Sequence, residues 1–93
     1  LVEEAVAVGD VVRLMEFRRG QANLVEITLP DDTPWAGKPV RKLELPRDAV
    51  LVAILRGSRV IPVQPDEPLE GGDELILVAT ADIEDELHRV VLG

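Results

Sequence analysis

Carboxylates are the commonest reactive groups in this 93-residue chain, with 18 acidic residues against 10 basic ones. They gather as Asp31-Asp32 in a connection, Asp66-Glu67 in a loop, and Glu84, Asp85 and Glu86 along a helix. General acid–base catalysis needs a carboxyl whose pKa is displaced by burial or by a close partner. These acids stand in polar stretches where water holds them near their usual range, the pattern of a solvated face. His88 is the one histidine and Ser58 the one serine. Ser58 falls in a hairpin turn and lacks the strand-to-helix elbow that exposes a nucleophile. Glu84 precedes His88 by one helical turn, and two groups on one helix are too few for a metal cage. No glycine-rich phosphate loop appears, and an acid follows Gly71-Gly72, which reads as a turn. The sequence therefore predicts no catalytic residue, no metal site and no enzyme.

One pair of side chains is less ordinary. Gly57-Ser58 between Arg56 and Arg59 has the form of a two-residue, glycine-first hairpin loop. That loop sets the two arginines opposite each other on one face, at a cost of a few tenths to ~1 kcal/mol. An anion nearby relieves the cost, whether a loop carboxylate, a partner chain or a bound phosphate. Pro62 and Pro65 just downstream stiffen the wall of such a site.

The elements that position these groups follow from periodicity. Val11 to Phe17 reads as a strand, residues 18–23 as a turn, and Leu24 to Leu29 as a second strand with Val25, Ile27 and Leu29 on one face. Thr33 before Pro34 can cap a turn, Pro39 can start a short helix carrying Val40 and Leu43 inward, and Pro46 ends it. Ala49 to Leu55 is continuously apolar, the pattern of a strand covered on both faces. With the preceding helix it suggests a βαβ unit in which the second and third strands are parallel neighbours. The hairpin returns through Val60, Ile61 and Val63, and the prolines confine that strand to an edge. Glu74 to Ala79 is another strand. A helix from about Asp82 to Leu92 closes the chain, with Ile83, Leu87, Val90 and Val91 in one stripe. The fold class predicted is α+β: a small mixed sheet with a βαβ unit, a β-hairpin and a C-terminal helix, dimerising.

Composition narrows the partners. A formal net charge of −8 opposes the phosphate backbone and an anionic membrane surface, so no nucleic acid is expected. Aromatics are 2% of residues, Phe17 and Trp35 only, too few to stack bases. The absence of cysteine removes disulfides and thiolate chemistry and fits a cytoplasmic setting. No apolar run approaches the ~20 residues of a membrane span. Residues 1–9 read as a linker or helix tail from an upstream domain, and 10–93 as the domain proper.

Several ordered stretches carry a family likeness. Leu24-Val25-Glu26-Ile27, Gly37-Lys38-Pro39-Val40 and Leu43-Glu44-Leu45-Pro46 come first. Val52-Ala53-Ile54-Leu55-Arg56-Gly57 and Val60-Ile61-Pro62 follow, and Leu69-Glu70-Gly71-Gly72-Asp73-Glu74-Leu75 closes the set. Over Asn23 to Leu92 the chain resembles the C-terminal domain of regulators of potassium conductance, the TrkA-C type. That resemblance implies a cytoplasmic homodimeric module, following an upstream nucleotide-binding domain and held at the inner membrane face by a potassium transporter or channel subunit. It implies no cofactor in this fragment, with cyclic di-AMP or another nucleotide as ligand. The positions implied for that ligand are Val50, Leu51, Arg59, Ile61 and Pro62, to which the hairpin adds Arg56. The alternative is a structural dimerisation module without a small ligand. The arginine pair favours the first reading. Val50, apolar where messenger-binding relatives carry a polar group, favours the second, as does the acidic charge.

Overall fold

A computed structural model describes residues 10–93; the linker reading of residues 1–9 lies outside that range. Strands β1 (Val11–Phe17), β2 (Ala22–Thr28), β3 (Ala49–Arg56), β4 (Arg59–Ile61) and β5 (Glu74–Thr80) precede one helix, α1 (Glu84–Leu92). They form a single sheet in the order β1-β2-β5-β3-β4, with every neighbouring pair antiparallel.

Alternation along β2 and β5 creates the core face. Val25 pairs with Leu77 and Ile27 with Leu75, and all four side chains are fully buried. Ile54 of β3 meets Leu75 on the same face, and Leu87 and Val91 of α1 pack there with Leu29, Leu43 and Leu69 of the loops. The helix stripe expected from the sequence is therefore the face that docks. Its first turn is tighter: Ala81–Ile83 is a 3₁₀ turn, and α1 starts at Glu84. Asn23, fully buried, donates to Glu84 at 2.8 Å, and Arg13 reaches the same carboxylate at 3.2 Å. At the other end the Trp35 indole donates to the Val91 carbonyl at 2.9 Å, which satisfies an acceptor the last helical turn leaves free.

Two expectations are corrected. β2 and β3 run in the same direction but are not neighbours, because β5 lies between them and bonds to both. Their connection contains one 3₁₀ turn, Val40–Lys42, in place of a crossover helix. It does carry Leu43 into the core as expected. β3, read as covered on both faces, buries only Ile54 fully and leaves Val50 60% and Val52 47% exposed. The register slips between Leu51 and Ala53, leaving Val52 as the extra residue of a bulge.

The two long connections are laced together. Pro39 and Pro68 form an isolated bridge, Gly37 N–H donates to Leu69 at 2.7 Å, and Val40 N–H donates to Glu67 at 2.9 Å. The Gly71-Gly72 turn passes so close to the first connection that a Cβ on Gly71 would lie 2.5 Å from the Asp31 carbonyl oxygen. Only glycine fits that approach.

Candidate functional site

The hairpin forms as the sequence predicts. Arg56 and Arg59 are Cα partners across a two-residue loop in which Gly57 has φ +62°. Side chains alternate along β3, so Arg56 shares the core face with Ile54 but stands beyond the end of the apolar cluster. There it meets the second connection. Its Nε and Nη2 donate to the two carboxylate oxygens of Asp73 at 2.8 and 2.9 Å. Nη2 also donates to the Pro68 carbonyl at 3.0 Å, and Nη1 lies 3.4 Å from Glu67 and 3.3 Å from Glu70.

Asp73 is fully buried and accepts a further bond, from Glu70 N–H at 2.9 Å. Its own carbonyl accepts from Leu29 N–H at 2.8 Å, so the end of β2 is tied to the same residue. The hydrogen bonds from Arg56 to Asp73 hold the guanidinium pKa above its ordinary value, against the opposing effect of burial. The fork geometry fixes both planes. Of the anions that could relieve the arginine pair, a loop carboxylate is the one present for Arg56. Arg59 is exposed and makes no ion pair with the described residues.

The other positions named for a ligand divide between the two faces. Val50 pairs with Val78 on the second face, opposite the core; Leu51 and Ile61 turn toward the core and are partly buried against it. Pro62 is exposed just past β4. Val50 and Leu51 stand at the far end of β3 from Arg56, along a strand that rises ~3.3 Å per residue. One copy of the chain thus does not gather the six into one pocket. Three surface clefts lie elsewhere: at Arg18, Arg19 and Gln21, between β1 and α1 beside His88, and under Trp35 and Val91. Glu84, paired with His88 in the sequence reading, is occupied by Arg13 and Asn23.

The second face holds what sequence reasoning missed. Met15, Val50, Val52 and Val60 are between 47% and 68% exposed, and Leu24, Ile76, Val78 and Leu55 lie among them. Glu26 lies on this face opposite Ile76 and is only 6% exposed; Glu74 sits diagonally from it, opposite Thr28. Burial first, then the Glu74 carboxyl, push Glu26 up to about 7. The signal was available: Glu26 and Glu74 occupy the outward positions of two strands whose inward positions are Val, Ile and Leu.

Comparison with known proteins settles the family. The model of the TrkA-C domain matches residues 24–92. The chain belongs to the TrkA-C domain family. A Trk system potassium uptake protein TrkA of Mycobacterium tuberculosis is 73% identical over 92 residues, which is 99% of this chain and 42% of that protein. A protein of the same name from Halomonas elongata is 32% identical over 72 residues, covering 74% of this chain and 16% of its own length. The TrkA-C chain described here therefore spans less than half of these curated relatives. Among solved structures, the GsuK RCK domain superimposes with a TM-score of 0.76 at 15% identity, over 90% of this chain and 18% of that one. An RCK domain solved with cda superimposes with a TM-score of 0.62 at 26% identity, over 73% of this chain and 96% of that one.

Proposed function

We propose that this chain is a regulatory domain of a Trk-type potassium uptake system. In this reading two copies associate through the second face of the sheet, and a small anionic ligand such as a cyclic dinucleotide acts at their junction. The single observation carrying the reading is the TrkA-C match, joined to a 73% identical relative named for potassium uptake. The relative solved with cda supports a ligand of that kind. The half-exposed valines of β3 and β4 support association, because contiguous apolar surface on a small domain marks a partner. Upstream, the rest of the protein supplies a nucleotide-binding domain. The membrane partner is a potassium transporter or channel subunit at the inner face, so the domain works in the cytoplasm. No helix among the described residues is long and apolar enough to cross a membrane.

Regulation in this scheme is a population shift. A ligand that prefers one geometry of the pair changes the populations and pulls on the segment leading upstream. Arg59 and Pro62 at the free hairpin would meet the ligand's phosphate and base, with Val50 from the far end of β3. A second reading, a dimerisation module without a ligand, is favoured by one observation. Arg56 is engaged by Asp73, which leaves Arg59 as the cation available at the hairpin.

Thermal unfolding with and without cyclic di-AMP separates the two. At 100-fold its dissociation constant a ligand adds ~2.7 kcal/mol, which raises the midpoint of a domain this size by roughly 10 °C or more. Arg59→Ala should abolish that rise while leaving the unliganded midpoint unchanged. No rise with cyclic di-AMP or simple adenine nucleotides would leave the ligand-free module.

A further inference from the structure

The second face carries a polar cluster that neither folding nor the proposed ligand uses. Register places Glu26 opposite Ile76 and Thr28 opposite Glu74, so the two carboxyl groups are diagonal neighbours with the Thr28 hydroxyl beside them. Glu26 is 6% and Thr28 7% exposed. Among the described residues the buried Thr28 Oγ1 has no hydrogen-bond partner, and Thr80 Oγ1 on the same face has none either. Carboxylates buried this way normally face a cation. Here none does. The β1 residues on this face are Val12, Met15 and Phe17; β5 adds Ile76 and Val78; β3 adds Val50, Ala53 and Leu55; β4 adds Val60. Arg13 and Arg56, the charged residues of β1 and β3 nearest in sequence, belong to the core face, where Glu84 and Asp73 engage them. Among the strand residues on this face, Glu26 and Glu74 are the only titratable groups, and Asp10, just before β1, adds a further acid and no cation.

We propose that Glu26 and Glu74 together bind one proton, and that this proton licenses the second face to be covered by a second copy of the chain. The inference rests on the association proposed above and adds its control. Two carboxylates in contact on an apolar surface repel each other and resist dehydration. A proton on Glu26 lets that carboxyl donate a hydrogen bond to Glu74 and removes one of the two charges. Covering the face then buries one negative charge per copy instead of two. Because desolvation by the second copy adds to the burial already acting on Glu26, association and protonation strengthen each other. The displacement of Glu26 to about 7 puts the transition in the neutral range. Acidification therefore favours the paired state, and alkalinisation the separated one.

The test is sedimentation equilibrium of the 93-residue chain from pH 5.5 to 8.5, alongside a carbon-13 NMR titration of the Glu26 carboxyl. The expected result is a Glu26 midpoint near neutrality and an association constant at least about tenfold larger at the acid end. Glu26→Gln, which keeps the donor and removes the charge, should associate strongly and nearly independently of pH. Glu74→Gln should lower the Glu26 midpoint, since one of the two causes of its displacement is gone. A Glu26 midpoint in the ordinary carboxylate range overturns the proton site. Equal pH slopes in the wild type and Glu26→Gln overturn its control of pairing while leaving the association itself intact. A chain that stays monomeric at every pH removes the association, and the control with it, whatever Glu26 does. Association at pH 8.5 restored by millimolar calcium or magnesium in the wild type alone would make the occupant a metal cation and overturn the proton.

Discussion

The two faces of one sheet are built on opposite terms. On the core face the central strand positions are apolar and buried, and most buried polar groups are matched, the Asn23 carbonyl oxygen being an exception among the described residues. Asn23 has Glu84, Asp73 has Arg56, and the Trp35 indole closes on Val91. On the second face valines stand half exposed, and among the described residues two threonine hydroxyls lack partners and two glutamates lie together without a cation. A surface arranged for water alone would carry scattered charges and no orphaned hydroxyls. The contrast teaches that the core face accounts for folding, whereas the second face is the surface on which the proposed pairing would act. Arg56 and Arg59 show a comparable contrast within the core face itself. They are opposed residues, yet one is clamped by a buried carboxylate and the other is exposed.

The contrast can be broken by substitution. Leu77→Ala, in the middle of the core face, should cost about 3 kcal/mol through lost contacts and a residual cavity. Asp73→Ala should cost a similar amount, because it strands Arg56 among Glu67, Glu70 and a carbonyl without its main partner. Urea unfolding of each variant checks both, and a loss under 1 kcal/mol for either would place the stability elsewhere. Trp35→Phe removes the bond to Val91 and should cost about 1 kcal/mol by the same measurement. On the second face, Val50→Ala or Val60→Ala should change monomer stability by less than about 0.5 kcal/mol.

The pH profile sharpens the comparison further. Glu26 is displaced upward, from 4.5 to about 7, so between those values the folded state holds a proton that the unfolded state has released. Its contribution to stability is full below pH 4.5 and is lost as the pH rises through 7. Melting curves of the wild type should therefore fall across that window relative to Glu26→Gln. Parallel curves would show an ordinary glutamate.

Much of this was legible in the residues. β1, the Gly57-Ser58 hairpin and the stripe of α1 follow from periods of two and 3.6 and from turn chemistry. The crowding of Arg56 and Arg59 correctly demanded an anion. What could not be read were long-range choices. Asp73 lies 17 residues beyond Arg56 and stands in a turn sequence that gives no sign of burial. The insertion of β5 between β2 and β3 depends on pairing among distant strands, which no local pattern encodes. The unbroken apolar run of β3 suggested cover on both faces because its half-exposed second face has the same composition as a core. The positions named for a ligand are likewise divided: Val50 belongs to the second face, and Leu51 to the core.

The most direct test of the division between the faces is the molar mass of the chain in solution at slightly acid pH, measured by light scattering for the wild type and for Val60→Asp. Val60 is 68% exposed, so an aspartate there leaves folding untouched while placing a charge on the surface to be covered. The wild type should be a dimer, and Val60→Asp a monomer whose unchanged circular dichroism spectrum shows that it is folded. A monomeric wild type, or a dimer that survives the substitution, would contradict the division.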